Sequence, residues 1–162
     1  MPNYIEIQRF RPTPFSPRRF YTIHMKKYKL GYTTGVFDMF HIGHLNILSQ
    51  AKERCSRLVV GVTTYDLCFQ RKSKYPIING EDRKAIIRAI RYVDEVVDQA
   101  DMDKVRAVRK LGADAVFVGS DWKGTPAWEQ YEKELAAVGC DVVYLDHTDG
   151  ISSSILREKL LN

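Results

Sequence analysis

The sequence predicts an α/β fold, a three-layer α/β/α sandwich around a five-stranded parallel sheet. The first observation is the length of 162 residues, which is enough for one hydrophobic core and short for two full domains. The second is that, from residue 30 onward, short apolar strand-like runs alternate with amphipathic stretches of helical length. Strands that alternate with helices pair in parallel through right-handed crossovers, with helices on both faces of the sheet. Ligands of such sheets bind beyond the carboxyl ends of the strands, so a site is expected in the segments that follow them.

Five strands are predicted from short apolar runs bounded by polar residues or glycine. They cover residues 30–35, 58–63, 95–98, 115–119 and 142–145. Five helices are predicted from apolar residues spaced three or four apart, over residues 45–55, 81–92, 101–111, 126–138 and 154–161. Thr125 and Pro126 are typical of an N-cap and a first helical position, and Ser152 or Ser153 is expected to cap the last helix.

Positive charge is concentrated at the N-terminus. The net charge of +5 at pH 7 arises within residues 1–28, which hold six basic residues, one acidic residue and four of the six prolines. Residues 29–162 are neutral, with 19 basic and 19 acidic side chains. We therefore expect a poorly ordered, basic tail over residues 1–28, followed by one domain over residues 29–162. The basic balance of the whole chain then says little about what the domain binds.

The composition excludes several classes of protein. With 44% hydrophobic and 28% charged residues, the chain is neither disordered nor collagen-like. Its longest uncharged apolar runs fall far short of the roughly 20 residues that span a bilayer. Cys55, Cys68 and Cys140 form no Cys-x-x-Cys pair, and their odd number is typical of reduced thiols. Since the first 28 residues also lack the apolar stretch of a secretory signal, a cytoplasmic protein with no membrane partner is expected.

The segment after the first strand carries two histidines. Residues 35–44 read Gly-Val-Phe-Asp-Met-Phe-His-Ile-Gly-His, with His41 and His44 on either side of Gly43. Neither a Gly-x-Gly-x-x-Gly fingerprint nor a P-loop motif occurs, so a dinucleotide fold and a P-loop NTPase are not supported. A helix N-terminus binds anions through its amides, Gly43 would let a phosphate approach the backbone, and the imidazoles would add donors. The alternative is a surface or metal-ligand pair, although zinc would need a third ligand.

A second segment of this kind follows the last strand. Residues 148–157 read Thr-Asp-Gly-Ile-Ser-Ser-Ser-Ile-Leu-Arg and lead into the last helix. Serine hydroxyls and amides at a helix N-terminus form another anion-binding pocket, at the same edge of the sheet as the histidines. The alternative is that these serines only cap the helix. Because the two segments occur together, phosphate binding is the favoured interpretation.

The motifs His-Ile-Gly-His at residues 41–44 and Gly-Ile-Ser-Ser-Ser at 150–154 resemble those of the nucleotidyltransferase superfamily and, within it, the cytidylyltransferases. Three further pieces, at residues 91–96, 119–124 and 143–145, are similar to the glycerol-3-phosphate cytidylyltransferase branch, and the resemblance covers about residues 29–161. It implies a Rossmann-like fold, a homodimer and Mg²⁺ as cofactor. The implied reaction transfers CMP from CTP to glycerol 3-phosphate, a small phosphorylated alcohol, by in-line attack of the acceptor phosphate, with release of pyrophosphate.

The resemblance also implies roles for residues at matching positions. His41 and His44 would be the catalytic histidines that hold the phosphates. Nucleotide contacts are implied for Gly35, Val36, Phe37, Gly43, Lys74, Arg83, Asp146, His147, Thr148, Gly150, Ile151, Ser152, Ser153 and Ser154, and acceptor contacts for Arg71, Lys72, Lys104 and Trp122. Asp38, at the end of the first strand, is a candidate for contact with Mg²⁺ or, alternatively, holds the turn.

The sequence departs from the family pattern at two of these positions. Val36 stands where the family usually has threonine, and His147 where it commonly has arginine, so the preference for CTP rests on fewer family contacts. A related transferase that uses ATP, or another acceptor such as phosphoethanolamine or a different alditol phosphate, therefore stays open. A nucleic-acid-binding module built on the basic, aromatic tail is the least favoured function.

Overall fold

In the computed structural model, residues 26–161 are described, and they form a five-stranded, all-parallel sheet with helices on both faces. The elements in chain order are β1 (Tyr28–Gly35), α1 (Ile42–Arg54), β2 (Cys55–Thr63), α2 (Tyr65–Lys72), α3 (Gly80–Arg88), β3 (Glu95–Gln99), α4 (Lys104–Leu111), β4 (Ala115–Gly119), a 3-10 turn (Ser120–Trp122), α5 (Pro126–Ala136), β5 (Asp141–Leu145) and α6 (Ser153–Leu161). The predicted Rossmann-like α/β/α fold is confirmed.

The order of the strands across the sheet is β3-β2-β1-β4-β5. The chain therefore runs outward from the central β1 to β3 and then returns to place β4 on the other side of β1. The connections after β1 and β4 leave in opposite directions, which opens a crevice beyond the carboxyl ends of these two strands. This position in the fold is where a ligand of a parallel sheet is expected.

Two hydrophobic clusters hold the three layers together. On one face, Leu48 of α1 and Ile87 of α3 pack against the inward side chains of β2. On the other face, Val108 of α4 and Trp128 of α5 pack against Val59 and the remaining strands. β2 contributes to both clusters because side chains alternate along a strand, so that consecutive residues point to opposite faces of the sheet.

Capping residues explain where the helices differ from the predicted bounds. Helix α1 begins three residues earlier than predicted because His41 caps it, and α4 begins at Lys104 because the Asp103 carboxylate accepts the Arg106 amide. Helix α2 was not predicted. Its N-cap is Thr64, whose hydroxyl accepts the Leu67 amide. Because the helix has only eight residues and exposes Tyr65 and Phe69 beside its polar side chains, it lacks a clear apolar period.

The structure describes little of the predicted N-terminal tail but all three cysteines. Residues 1–25, most of the predicted tail, lie outside the described residues, and Tyr28 already begins β1. The three cysteines are all free and buried, as expected for reduced thiols. Among residues 26–161, every helix is too short or too polar to cross a membrane.

Candidate active site

The loop between β1 and α1 is tightly folded and delivers the two histidines. Phe37 and Met39 adopt left-handed backbone conformations, with φ values of 52° and 48°, which are uncommon for residues other than glycine. Such conformations persist only where the surroundings impose them. Here the Phe37 side chain is buried, and its ring lies over Gly35, where an added Cβ would come within 3.0 Å of the ring. Glycine at position 35 is thus required by the packing of Phe37.

His41 and His44 cap helix α1 reciprocally. The Nδ1 atom of His41 accepts the Gly43 amide at 3.1 Å, and Nδ1 of His44 accepts the His41 amide at 3.4 Å. A ring nitrogen that accepts a hydrogen bond carries no proton, so each neutral imidazole holds its proton on Nε2. Both histidines are therefore set up to donate one Nε2–H bond to a ligand outside the helix.

The geometry adds a packing reason for glycine at position 43. The Gly43 amide is used by His41, and a Cβ at this position would lie 3.0 Å from the His41 ring and 3.5 Å from Ile151. Gly43 also lines the cavity described below, so its contact with the nucleotide stays a prediction. Since the Gly43 amide is already used, the donors offered to an anion are the imidazoles.

The two imidazoles stack on each other in a partly apolar setting. Their centroids are 3.8 Å apart, and the His44 ring also contacts Phe37 edge-on and Phe40. Burial, reinforced by the neighbouring His41, lowers the pKa of His44 to about 4, and burial also lowers the pKa of His41. Both rings are thus neutral at pH 7, in the state that donates from Nε2.

We expect the free energy of unfolding to fall as the pH drops from 6.5 to about 4. Over this window the unfolded chain binds a proton at His44 while the folded chain does not, because the pKa of His44 in the fold is about 4. One such group gives a slope of at most about 1.4 kcal/mol per pH unit. Urea unfolding at several pH values should show a smaller slope for His44→Gln, which keeps the acceptor at this helix position but does not titrate. Identical slopes for the two proteins would contradict the assignment.

The serine segment faces the histidine loop. The Ser152 hydroxyl caps α6 by accepting the Ile155 amide at 3.1 Å, so the capping interpretation holds for this residue. Ser153 Oγ donates to the backbone oxygen of Asp38 at 2.7 Å, which ties the start of α6 to the histidine loop. Ser154 is exposed and lines the cavity between the two segments. Gly150, with a φ of 78°, makes the turn that precedes the serines.

A cavity of about 360 Å³ lies at the crevice between β1 and β4. Both halves of the predicted site line it. Its lining includes Gly35, Val36, Phe37, His41, Gly43, His44, Lys72, Trp122, His147, Thr148, Ile151, Ser152, Ser153 and Ser154. The structure therefore brings the two histidines and the serine turn together around one space.

A larger cavity of about 610 Å³ adjoins the first and shares Phe37, His44 and Lys72 with it. Three basic side chains line it, Lys72, Lys74 and Arg157, together with the acidic side chains of Asp38 and Glu158, and Arg157 is paired with Asp38. Arg157 was not predicted as a site residue. Its position could have indicated this, because Arg157 lies four residues after Ser153 and so on the same face of the predicted last helix.

Asp38 clamps three segments together rather than facing the open cavity with free oxygens. Its two carboxylate oxygens accept the amides of Ile77 and Ile78, each at 2.9 Å, and Arg157 Nη2 lies 3.0 Å from one of them. The side chain is 4% exposed. These contacts fit the turn-holding alternative and correct the interpretation of Asp38 as a metal contact. Over residues 26–161 no group of three histidine, cysteine or acidic side chains is arranged to hold a metal ion, so the residues present do not form a protein cage for Mg²⁺.

Arg83 lies behind the site rather than in its lining. It is fully buried, and its Nη1 donates to the carbonyls of Val36 at 2.7 Å and Thr63 at 2.9 Å, while Nε donates to Ile78 at 3.0 Å. Nη2 is buried with no hydrogen-bond partner among the described residues. This corrects the interpretation of Arg83 as a nucleotide contact. The guanidinium instead fixes the backbone at the ends of β1 and β2.

Lys104 is a buried cation next to the crevice. Its Nζ lies 5.2 Å from the centre of the Trp128 ring and 5.4 Å from that of Tyr131. The same atom is 3.5 Å from Thr34 Oγ1, and Thr34 also lines the 360 Å³ cavity. Burial, together with the positive charge of Arg71, lowers the pKa of Lys104 to about 8. Of the other predicted acceptor residues, Trp122 is 45% exposed at the cavity, and Arg71 is exposed on α2.

Comparisons with known proteins agree with this geometry. Residues 32–159 match the family described as cytidylyltransferase-like. A glycerol-3-phosphate cytidylyltransferase of Bacillus spizizenii is 35% identical over 131 residues, covering 79% of this chain and 94% of that protein. An FAD synthase of Pyrococcus abyssi is 40% identical over 88 residues, covering 54% of this chain and 60% of that protein. The solved structure of a lipopolysaccharide core biosynthesis protein from Thermoplasma volcanium superimposes with a TM-score of 0.63 at 26% identity, covering 75% and 97% of the two chains.

Proposed function

The chain belongs to the cytidylyltransferase-like family of nucleotidyltransferases, and from this membership we propose that it transfers CMP from CTP to glycerol 3-phosphate, giving CDP-glycerol and pyrophosphate. The observation that carries the proposal is the convergence of His41, His44 and the serine turn on one cavity at the crevice between β1 and β4. The relative from Bacillus spizizenii supports the choice of acceptor, since the similarity covers 94% of its length.

The triphosphate of CTP is assigned to the histidine and serine side of the site. Nε2–H groups of His41 and His44 donate to phosphate oxygens, and Ser154 offers a hydroxyl at the N-terminus of α6, where the helix dipole favours negative charge. Lys72 and Lys74 in the adjoining cavity supply positive charge for the outer phosphates. The nucleoside is assigned to the other end of the 360 Å³ cavity, beside His147 and Thr148.

The reaction requires the protein to align the two substrates and to stabilise their negative charge, and it requires no general base. The nucleophile is an oxygen of the acceptor phosphate, which is already ionised at pH 7. It forms a new bond to the α-phosphorus of CTP while the bond between that phosphorus and the bridging oxygen breaks, and pyrophosphate leaves with the electron pair. The imidazoles donate to oxygens whose charge grows during this step, and fixed donors of this kind account for much of enzymatic rate enhancement.

Mg²⁺ is proposed to enter as part of the substrate, bound to the phosphates of CTP. Mg²⁺ in nucleotide-binding enzymes keeps several waters and is held largely by substrate phosphates. The single carboxylate of Asp121 lines the cavity, and Asp38 is already engaged. A homodimer in the cytoplasm belongs to the same proposal and rests on the family resemblance. Light scattering during gel filtration tests the dimer.

The acceptor phosphate is assigned to the region of Lys104, Arg71, Lys72 and Trp122. Lys104 is a buried cation whose contacts are a hydroxyl and two aromatic rings, and it lies near a second cation, Arg71. A buried charge is stable only when it is compensated, so this arrangement favours an anion at the Thr34 side of the cavity.

Replacing Lys104 with methionine is expected to raise the KM for glycerol 3-phosphate by about tenfold, while the KM for CTP changes little. Methionine keeps the packing against Trp128 and Tyr131 and removes a charge that burial disfavours, so the fold should not lose stability. In the unmodified protein this KM should also rise above about pH 8, where Lys104 loses its proton, and that rise should be absent from the variant. The matched control is Lys110→Met at an exposed position of α4. An unchanged KM in Lys104→Met would remove Lys104 from the acceptor site.

A second candidate is a transferase that uses ATP or another phosphorylated acceptor. The similarity to FAD synthases favours this candidate, because the identity to the protein of Pyrococcus abyssi reaches 40% over the shared 88 residues. The deciding experiment incubates the protein and Mg²⁺ with CTP or ATP and one acceptor at a time: glycerol 3-phosphate, phosphoethanolamine, other alditol phosphates and FMN. Mass spectrometry then identifies the product. CDP-glycerol supports the proposal, and an adenylated product without any cytidylylated one refutes it.

A further inference from the structure

The side chain of Gln50 in helix α1 forms hydrogen bonds with the loop that follows β5. Gln50 Nε2 donates to the carbonyl of Asp146 at 3.1 Å, and the amide of Asp146 donates to Gln50 Oε1, also at 3.1 Å. One side-chain amide thus pairs with both the backbone N–H and the backbone C=O of a residue 96 positions away in the sequence. Because a donor and an acceptor are matched at once, both the orientation of the Gln50 amide and the position of the loop are fixed.

A second contact one helical turn earlier reinforces the first. Asn46 Nδ2 donates to Thr148 Oγ1 at 3.0 Å. Residues four apart lie on the same face of a helix, so Asn46 and Gln50 hold the loop of residues 146–149 from one side. The Thr148 hydroxyl accepts from Asn46 and so keeps its own proton to donate elsewhere.

The same helix carries the phosphate end of the site. His44 lies at the start of α1, and Gln50 lies six residues further on, about 9 Å along the axis at the usual rise per residue. A cleft of about 450 Å³ between α1 and the loop is lined by Asn46, Gln50 and residues 146–149, and it shares His147 and Thr148 with the cavity of the histidines. Helix α1 therefore sets the spacing between the two ends of one elongated site.

We propose that Gln50 is a positioning residue for nucleotide binding, which holds the loop of residues 146–149 at the distance from His41 and His44 that the nucleoside requires. The inference rests on the proposed function for the placement of the nucleoside at this loop. The N–H and C=O of Asp146 are bonded to Gln50, and the residues of this loop that line the cavity of the histidines are His147 and Thr148.

The test replaces Gln50 with leucine, which has a similar size and makes neither hydrogen bond. Calorimetry measures the Kd of Mg²⁺–CTP, and steady-state kinetics measures kcat and both KM values. We expect the Kd and the KM of CTP to rise about tenfold, as for the loss of two hydrogen bonds. The kcat at saturating CTP and the KM of glycerol 3-phosphate should stay within about threefold. The matched control is Gln130→Leu, an exposed glutamine on α5 whose amide contacts Glu134.

Two results would overturn the inference. One is an unchanged Kd and KM of CTP in Gln50→Leu. The other is an equal loss in kcat and in both KM values together with a lowered Tm, which would assign Gln50 a merely structural role. Titration of the unmodified protein with ATP separates this test from that of the proposed function. If the protein binds ATP and not CTP, the proposed function fails, and the Kd of ATP in Gln50→Leu then decides the role of Gln50. Binding of neither nucleotide overturns both.

Discussion

Replacing His44 with alanine is expected to lower kcat by about 10² to 10³, the usual cost of removing one donor to a developing charge. The His44 ring is neutral, its Nδ1 accepts the His41 amide, and its Nε2–H is left for the ligand. The loss should appear mainly in kcat, because the donated bond strengthens as charge accumulates on the leaving group. Steady-state kinetics with CTP and glycerol 3-phosphate measures the effect.

The fold should survive this change with a modest loss of stability. Alanine removes one half of the reciprocal cap and the ring contacts with Phe37 and Phe40, and the loss of a cap typically costs about 1 kcal/mol. The matched control is Ile42→Ala, since Ile42 lies between the two histidines and is 53% exposed. A near-normal kcat in His44→Ala would count against the assigned role of the imidazoles.

Replacing Arg83 with methionine is expected to lower the free energy of unfolding by about 3–5 kcal/mol, because each buried carbonyl that loses its donor costs about 1–3 kcal/mol. The guanidinium donates to the carbonyls of Val36, Thr63 and Ile78, and all three would lose their donor. The gain from no longer burying a charge offsets part of this cost, since burial already lowers the pKa of Arg83. Urea unfolding at pH 7 measures the difference.

Activity should fall along with stability, because Val36 and Phe37 line both cavities and lose their support. Arg88→Met is the matched control: Arg88 is exposed in the last turn of the same helix, and such surface changes stay within about 0.5 kcal/mol. A change below about 1 kcal/mol in Arg83→Met would show that the three carbonyl contacts carry little energy.

The alternation of strands and helices and the location of the candidate site could be predicted from the sequence, apart from helix α2. The alternation of apolar runs with amphipathic stretches predicts a parallel sheet, and parallel strands place all their carboxyl ends at one edge. The histidine segment after β1 and the serine segment after β5 therefore had to lie at the same edge. The sheet order, which places β1 next to β4 and opens the crevice between them, was not specified by that alternation.

Interactions between distant segments could not be predicted. Asp38 was predicted as a metal contact or a turn-holding residue from its place at a strand end, and Arg83 as a nucleotide contact from the family resemblance. Only the folded backbone shows that Asp38 accepts two peptide amides and that Nε and Nη1 of Arg83 donate to backbone carbonyls of neighbouring segments. The same holds for Gln50, whose partner lies 96 residues away. Helix α2 was missed because its eight residues make little more than two turns, too few to show a clear apolar period.

The two halves of the site follow strands that differ in their position in the sheet, one central and one at its edge. The histidine loop follows β1, which has neighbours on both sides, whereas the serine segment follows β5, at the margin of the sheet. Amide exchange and local opening start at margins and reach central strands last. Local opening is therefore expected to loosen the segment after β5 before it reaches the histidine loop, which keeps its place beside the central strand.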